Sequence, residues 1–470
     1  MRNGRRSITT MLALIVAVCA VLLFGGYAAN IKLALQTDYV QHSGHLQVQR
    51  KGYFKYGNGN AAAFGIAHYQ TIVDRIKADP VLQPMLLVVT PTLQLGGIAG
   101  NFSAGVSRTV FAQGLQPEEQ SRMREWNDYS MAFPSRQLAL TGTPLDSIVM
   151  GFGVARVLHL CGPLHVPACE DAPSAPANAA VVSAAPDSKQ PQHTVTPGSD
   201  APSDIVALSQ LEPAQTKASA SATRVEVLTA STSGAPNVAS FNVVKAEQQG
   251  VKELDDLYVE MHLPSAQRLV YGREEPRVTA IAVQLRHTSM LPAARQRLEQ
   301  LLAESNSPDP LEVLDFATLN PFYDQTNRMF DTIFGFVFVL IAAIVLFVVS
   351  NTMTMAIVER TVEIGTLRAV GLRRSGVQAL FVSEGLLLGL VGALLGVLAS
   401  LSFAWLINHS GVTWIPPART DAVPVAVRVW GEWSMITLTF FGLAIIAGLS
   451  AWFPARRAAR MPIVDALRHV

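Results

Sequence analysis

The chain has 470 residues, of which 50% are apolar and only 15% charged, with a formal net charge of +1. An ordinary soluble protein carries roughly 25% charged residues, so this deficit indicates a membrane protein. The length indicates more than one structural unit. The small net charge argues against a nucleic-acid partner, because such a partner requires a broad electropositive face.

Four stretches carry almost no charge and predict membrane-spanning helices: Met11–Ala29, Ile333–Ser350, Ala379–Ile407 and Met435–Phe453. About 20 apolar residues in a helix cross a hydrocarbon core of about 30 Å. The alternative, helices buried in a large soluble core, fits poorly because the apolar runs are uninterrupted over nearly the thickness of a bilayer.

The first apolar stretch has a second interpretation as a removable signal peptide. Arg2, Arg5 and Arg6 precede it, and Gly26-Tyr27-Ala28 resembles a small-residue cleavage site. We favour a retained helix. Both interpretations place residues 30–328 on the same side of the membrane.

Basic residues in the short segments predict the orientation, because cytoplasmic loops are enriched in lysine and arginine. Segments 1–10, 351–376 and 454–470 are predicted to be cytoplasmic, since they contain Arg2, Arg5, Arg6, Arg360, Arg368, Arg373, Arg374, Arg456, Arg457, Arg460 and Arg468. The 408–432 loop contains only two arginines and is predicted to be periplasmic.

Residues 30–328 are predicted to form a large α+β domain in the periplasm. Gly44–Gln49 alternates like a strand, Tyr69–Ala78 has helical spacing, and Val81–Thr90 is a further β-branched run. Downstream, the predicted order is strand, helix, strand and helix, over Leu257–Leu263, Ser265–Val270, Arg277–Leu285 and Leu291–Leu302. Residues 171–222 are rich in Ala, Pro and Ser and predict a disordered insertion between two lobes, with a docking arm for a partner as the alternative.

Two of the three cysteines lie close together in the sequence CGPLHVPAC. Because this stretch is predicted to face the oxidising side, Cys161 and Cys169 are predicted to form a disulfide. His159 and His165 suggest a metal site as the alternative, but no further ligands are grouped with them, so no metal is predicted. Cys19 lies in the first apolar stretch and is predicted to be an inert packing residue.

The segment between the second and third apolar stretches carries a charge pattern of its own. Glu359 and Glu363 share a helical face, and Arg360 can pair with Glu363. Gly371 is suited to end the helix, because glycine accepts the left-handed conformation. Spacing alone favours an ordinary amphipathic loop helix over a docking element.

Glycines in the third apolar stretch recur at intervals of four, three and four, at Gly385, Gly389, Gly392 and Gly396. One helix face therefore lacks side chains, which permits close helix packing within the subunit or across a dimer. Glu384 lies beside this face near the cytoplasmic end, and we expect it to pair with Arg373 or Arg374.

The run from Glu359 to Gly371, ERTVEIGTLRAVG, resembles the signature of MacB/FtsX-type ABC transporter permeases. The tail from Pro454 to Arg468, PARRAARMPIVDALR, also resembles this family. The order of one span, a large domain and three further spans resembles it too. The resemblance is specific over 320–470 and architectural in the periplasmic domain.

This resemblance implies a dimeric permease of the inner membrane that docks cytoplasmic ABC ATPase subunits and transmits their motion to the periplasmic domain, a process called mechanotransmission. It assigns ATPase coupling to Glu359, Arg360, Glu363, Ile364, Gly365, Leu367, Arg368 and Gly371, with Gly365 allowing close approach to the partner. The sequence contains no G-x-x-x-x-G-K-[ST] phosphate loop and no supported nucleophile–base pair, so no catalytic residue and no bound cofactor are predicted. ATP and Mg²⁺ are expected on the partner.

A second, shorter resemblance bears on the cargo. GHLQVQRKGYF, after the first span, resembles lipoprotein-releasing permeases, which favours a lipoprotein or another amphipathic cargo extracted from the outer leaflet. The alternatives are a tripartite efflux permease, a mechanical regulator of a periplasmic hydrolase, and an anchored receptor without an ATPase. A periplasmic carrier, adaptor or hydrolase is the corresponding partner.

The predicted fold class is a membrane α-helical protein with four transmembrane helices and a large α+β periplasmic domain between the first and second. The predicted transmembrane helices 1 to 4 are residues 11–29, 329–350, 377–407 and 433–453. The cytoplasmic segments are the N-terminus 1–10, the coupling segment 351–376 and the tail 454–470. The periplasmic segments are the domain 30–328 and the loop 408–432.

Overall fold

The computed structural model describes residues 4–57, 60–131, 137–166, 169, 223–232, 234–304, 309–415 and 422–461. The predicted insertion, 171–222, and the part of the C-terminal motif beyond Met461 lie outside these residues.

The helices are α1 to α13 in chain order: Gly4–Ser43, Tyr53–Tyr56, Tyr69–Ala78, Pro117–Arg124, Phe152–Val157, Lys252–Asp255, Leu263–Tyr271, Leu291–Ala303, Phe316–Leu319, Pro321–Glu359, Thr361–Ala369, Arg374–His409 and Trp433–Ala459. Two 3-10 turns occupy Ala61–Phe64 and Thr288–Met290. The strands are β1 to β11: Leu46–Arg50, Leu86–Asn101, Val106–Leu115, Ser147–Gly151, Arg224–Ala230, Pro236–Glu247, Tyr258–His262, Ala280–Leu285, Leu311–Asp315, Thr413–Trp414 and Val423–Pro424.

A nine-stranded sheet forms the large domain, which we define as residues 44–319. Strands β3, β7, β4, β6, β5 and β2 pair in that order, and β3 pairs back to β2, which closes a ring of six strands. The inward-facing apolar residues of these strands, among them Val227, Val259 and Met261, are buried in one core. Closure leaves few free strand edges in this part of the sheet.

The long strand β2 leaves the ring and continues into a flat extension of the sheet in the order β2, β8, β1 and β9. Strand β1 pairs antiparallel with both β8 and β9, with Leu46 opposite Val283 on one side and Asp315 on the other. Strand β1 follows helix α1 and β9 precedes helices α9 and α10, so the strands next to the two long helices are paired neighbours.

The prediction of two lobes separated by the insertion is wrong. Strand β8, from the second half of the domain, lies between β1 and β2 from the first half. Strands β5, β6 and β7 complete the ring begun by β2, β3 and β4. The strands pair across long sequence separations, which local periodicity cannot reveal, so the two halves interleave in one sheet.

Most local predictions in this domain agree with the structure, but the strand expected over Val81–Thr90 begins at Leu86. The preceding residues form a turn, in which the Asp79 carboxylate accepts hydrogen bonds from the amides of Val81 and Leu82 at 3.0 and 2.9 Å. Arg297 on α8 also binds Asp79 at 2.7 Å. These contacts, chiefly with Arg297, lower the pKa of Asp79.

In the part of the chain that the structure describes, four helices are long and apolar enough to cross a membrane: α1, α10, α12 and α13. Two of them extend well beyond the predicted spans 11–29 and 329–350. Helices α1 and α10 contain 40 and 39 residues, which makes each about 60 Å long and about twice the hydrocarbon thickness. Hydropathy identifies only the apolar part of each helix, whereas the polar extensions are held by packing against each other.

Helices α12, α13, α1 and α10 form the membrane bundle around a shared apolar cluster. Leu14, Val18 and Leu22 of α1 are fully buried in it, together with Val349 of α10 and Leu443 of α13. Helix α1 is therefore packed into the bundle over its apolar half.

Candidate functional site: a short helix at the arginine-rich end of the bundle

Helix α10 ends at Glu359 and the short helix α11 begins at Thr361. Arg360 separates them, with a φ of −102° and a ψ of 16°, outside the helical range. Its guanidinium reaches the carboxylate of Glu384 on α12 at 3.4 Å. The break allows α11 to turn away from the axis of α10 and makes it a separate element at the end of the bundle.

One face of α11 is buried against the rest of the chain. Thr361, Ile364 and Gly365 are buried. Ile364 is part of an apolar cluster formed by Ile357, Val377, Phe381, Ala455, Ala458 and Ala459. The small alanines of α13 allow α11 to approach that helix closely, which fixes the orientation of α11.

The opposite face of α11 is exposed and combines apolar and charged side chains. Val362 is 45% exposed, Leu367 44% and Val370 89%. Glu363 lies on the same exposed face. Large apolar side chains with a nearby carboxylate, on a helix of fixed orientation, form a surface suited to a protein partner.

The C-terminal end of α11 is closed by two features. Gly371 has a φ of +109°, a conformation that glycine adopts without strain, as the sequence predicts. The Arg368 guanidinium donates a hydrogen bond to the carbonyl of Met461, which follows α13. Arg368 therefore joins α11 to the end of α13 rather than lying free for a partner.

Arg360, Ile364, Gly365 and Arg368 have a different setting from the one expected of coupling residues. Gly365 and Ile364 face the interior of the chain, so Gly365 does not present its backbone to a partner. Glu359 is the last residue of α10. Arg360 pairs with Glu384, which corrects both the expected Arg360–Glu363 pair and the expected pairing of Glu384 with Arg373 or Arg374. The outward set is Glu363 and Leu367, to which the structure adds Val362 and Val370.

The predicted glycine face of α12 is used within the chain. A Cβ atom on Gly385 would lie 2.5 Å from the Cβ of Ala451, and one on Gly389 would lie 2.8 Å from that of Ala447, both on α13. Gly392 and Gly396 face α1, where added Cβ atoms would lie 2.8 and 2.6 Å from those of Leu14 and Val18. All four glycines allow α12 to pack between two neighbouring spans.

Helices α1 and α10 continue past the bundle as a pair that we call the stalk, residues 30–43 and 321–332. Lys32 forms an ion pair with Asp331. The rings of Tyr39 and Tyr323 meet edge to face, with centroids 6.2 Å apart. These contacts join the two helices along the part that lies outside the apolar stretches.

The stalk meets the large domain at an aromatic junction centred on His45. The His45 ring contacts the ring of Trp126 edge to face, with centroids 4.8 Å apart. Its Nδ1 accepts a hydrogen bond from the amide of Leu285 at 3.1 Å, and its Nε2 lies 3.2 Å from Thr288 Oγ1. Burial lowers the pKa of His45 to about 4, partly offset by Asp128. The ring is therefore neutral at pH 7 and carries its proton on Nε2.

A second connection joins the bundle to the large domain through the loop before α13. The Arg428 amide donates to the carbonyl of Gly26 in α1 at 3.0 Å. Its guanidinium donates to the carbonyl of Tyr129 in the large domain at 2.8 Å. Sequence analysis missed Arg428 and His45, because no local pattern marks them and their roles depend on contacts distant in sequence.

Cys161 and Cys169 form a disulfide in the structure, with Cα atoms 5.7 Å apart. Within the described part of the chain, no three His, Cys, Asp or Glu residues are grouped as metal ligands.

Residues 335–463 match the family described as FtsX-like permease C-terminal. The lipoprotein-releasing system transmembrane protein LolC of Neisseria meningitidis serogroup B is 27% identical over 244 residues, which are 50% of this chain and 56% of LolC. The macrolide export ATP-binding/permease protein MacB of Escherichia coli is 29% identical over 196 residues, which are 41% of this chain and 28% of MacB. The chain thus spans about half or less of these curated relatives.

The periplasmic region of MacB from Actinobacillus actinomycetemcomitans aligns with 61% of this chain and 95% of its own length, at 9% identity and a TM-score of 0.30, which is too low to establish a shared fold. The matched C-terminal domain covers the elements described above, from α10 through the short helix α11 to the end of α13. On these matches, residues 335–463 are an FtsX-like permease C-terminal domain, and the chain is similar to ABC transporter permeases of the MacB and LolC kind.

Proposed function

We propose that the exposed face of α11 is the docking surface for a cytoplasmic ABC ATPase and that the chain converts the motion of this ATPase into movement of the large domain. One observation carries the proposal: α11 is anchored on one side by Ile364 and exposes Val362, Leu367 and Val370 on the other. A helix that is fixed to the bundle but apolar toward solvent is suited to receive force from a partner.

The connectivity supports transmission of this force over the length of the molecule. Helix α11 follows α10 after a single residue, and α10 runs without interruption from the arginine-rich end to Pro321. The stalk then enters the large domain through β9 and β1, which are paired neighbours. A displacement of α11 along the axis of α10 would therefore reach β9 through the short helix α9, and β1 through α1, which contacts α10 in the stalk.

The cargo that we favour is a lipoprotein or another amphipathic molecule extracted from the outer leaflet. The similarity to LolC, whose name describes a lipoprotein-releasing system, supports this class. The similarity to MacB, named for macrolide export, keeps an efflux permease as the second candidate. We further propose that the chain acts as a dimer and leaves ATP binding to a separate subunit.

Docking can be tested by substituting residues of the exposed face in a co-expressed permease–ATPase pair. Glu363→Lys reverses a charge and Leu367→Asp removes an apolar contact, and neither side chain contributes to the buried cluster behind α11. We expect the double variant to retain less than about a tenth of the ATPase that co-purifies with the wild-type chain, because losing central interface contacts typically costs at least 1–2 kcal/mol.

Glu253→Lys is the matched control, because Glu253 is an exposed helical glutamate of α6 in the large domain. This control should retain the ATPase fully. Equal recovery of the ATPase with the double variant and with the control would show that α11 is not the docking surface.

A further inference from the structure

A groove in the large domain lies beside strand β6, at a point where the ring of six strands is incomplete. Strand β6 pairs with β5 from Pro236 to Asn242, but on its other side it pairs with β4 only from Asn242 onward. The groove has a volume of about 510 Å³, and its opposite wall is helix α7. It therefore occupies the place that a longer β4 would fill.

The pairing register determines which backbone groups of β6 face this groove. The amide of Val243 donates to the carbonyl of Thr223, and the amide of Ser231 donates to that of Ala235. Because hydrogen-bonded pairs alternate along an antiparallel ladder, the odd-numbered residues of β6 direct their backbone groups to β5. The amide and carbonyl groups of Val238 and Ser240 therefore point into the groove.

The chain itself shows how the groove is closed at one end. Asn242 is the next even-numbered residue of β6 after Ser240, and its amide donates to the carbonyl of Asp146 at 2.8 Å. The Asp146 carboxylate also accepts from the side chain of Asn242 at 3.2 Å. Beyond this point the chain turns away, with the amide of Ser147 bound to the carbonyl of Pro144. Among the strand pairings of the described residues, Val238 and Ser240 of β6 are left as a free strand edge.

The walls of the groove indicate the side chains that it suits. Val238 is 52% exposed and Leu145 48% exposed, which provides apolar contacts beside the strand edge. Arg268 of α7 is exposed at the end of the groove opposite to Asp146. At that end, the side chain of Asn237 donates a hydrogen bond to the carbonyl of Arg268. Within the described residues, no carboxylate forms an ion pair with its guanidinium.

We propose that this groove binds an extended segment of a partner protein, which adds as a strand to the free edge of β6 and places an acidic side chain against Arg268. Strand addition satisfies the four backbone groups of Val238 and Ser240 and buries the apolar walls. This proposal goes beyond ATPase docking, because the groove lies in the large domain and does not involve α11.

The test uses the purified full chain and two fluorescent decapeptides of alternating valine and threonine, one with a single aspartate and one with a lysine at the same position. Fluorescence polarisation measures binding. We expect the aspartate peptide to bind more tightly to the wild-type chain. Arg268→Glu should weaken binding of this peptide about three- to tenfold and strengthen binding of the lysine peptide, because the charge preference is reversed.

Two further variants distinguish binding of the peptide to the strand edge from nonspecific electrostatic binding. Ser240→Pro removes an amide that faces the groove and should weaken both peptides, provided that its melting temperature matches the wild type. Arg75→Glu, an exposed charge reversal on α3 away from the groove, should change neither affinity.

The proposal is overturned if neither peptide binds, or if Arg268→Glu and Arg75→Glu have the same effect. It is also overturned if a Val238→Cys variant cross-links efficiently to a second copy of the chain, because the groove would then be an interface between copies.

Discussion

His45 is a single residue on which the junction between the stalk and the large domain depends. Its ring accepts one hydrogen bond through Nδ1 and packs against Trp126, an arrangement that requires the neutral form. A positive charge on this ring would be buried and would lose the bond from the Leu285 amide. The residue therefore connects pH to the integrity of the junction.

We predict that acidification weakens the folded state through His45. Its pKa is about 4 in the folded protein and about 6.5 when unfolded, so between these values the unfolded chain binds the extra proton. The contribution of neutral His45 to the free energy of unfolding is complete above pH 6.5 and is lost as the pH falls toward 4. The loss is at most about 3 kcal/mol. Thermal unfolding at pH 7 and 5 measures the effect.

The control for this prediction is His45→Gln, which cannot be protonated. The variant should be less stable than the wild type at pH 7. The difference in the free energy of unfolding between the two proteins should decrease by about 2 kcal/mol at pH 5. If the stability of both proteins changed equally with pH, His45 would be excluded as the cause of the acid destabilisation.

At the scale of elements, helix α12 is defined by its lack of side chains on one face. Its four glycines let two helices of the bundle, α13 and α1, approach its backbone. Glycine lowers helix stability in isolation, so its repeated use here is explained by the contacts it permits. The pattern was visible in the sequence, although it did not tell which helices would be the neighbours.

Gly385→Ala should destabilise the bundle, because the new Cβ would lie 2.5 Å from that of Ala451. Overpacking of this kind costs about 1–3 kcal/mol and should lower the melting temperature. Ala451→Gly in the same protein should restore most of the loss. Gly335→Ala is the matched control, since nothing lies within 4 Å of a Cβ at this helical position in α10. An equal effect of both alanine substitutions would contradict the packing account.

Elements that depend on local pattern were predictable from sequence. The apolar stretches located the four long helices, and the spacing of Ile72, Val73 and Ile76 located α3. The outward face of α11 was only partly predictable. The sequence marks Glu363 and Leu367 as candidates, but the burial of Ile364 and Gly365 follows from the position of α13, which is encoded more than 60 residues later.

The arrangement of the large domain was not predictable in the same way. Strand β8 is inserted between β1 and β2, more than 170 residues from either. Alternation identifies each strand and its buried face, but it carries no information about which strand becomes its neighbour. For the same reason, the Arg428 connection and the groove beside β6 became visible only in the folded chain.

At the scale of the whole molecule, a continuous series of packed elements joins α11 to the large domain, and we propose that it transmits movement. Helix α11 lies at one end, α10 and α1 form the bundle and stalk, and the paired strands β1 and β9 begin the large domain. Arg428 provides a second link between the bundle and the large domain. Long uninterrupted helices transmit displacement well, because bending a helix disrupts its ladder of hydrogen bonds.

The most direct test of this account measures a distance between the large domain and the loop that follows α12 of the bundle, in the assembled complex. Spin labels on Arg75→Cys and Val412→Cys report it by pulsed electron resonance, with a hydrolysis-deficient ATPase bound. We predict that ATP changes the distance in the otherwise unmodified chain. A Gly-Gly-Ser-Gly insertion after Arg328, which interrupts the stalk, should abolish the change while ATPase binding persists, and the same insertion after Gly105 should not. A change of distance that survives the stalk insertion would contradict transmission through α10.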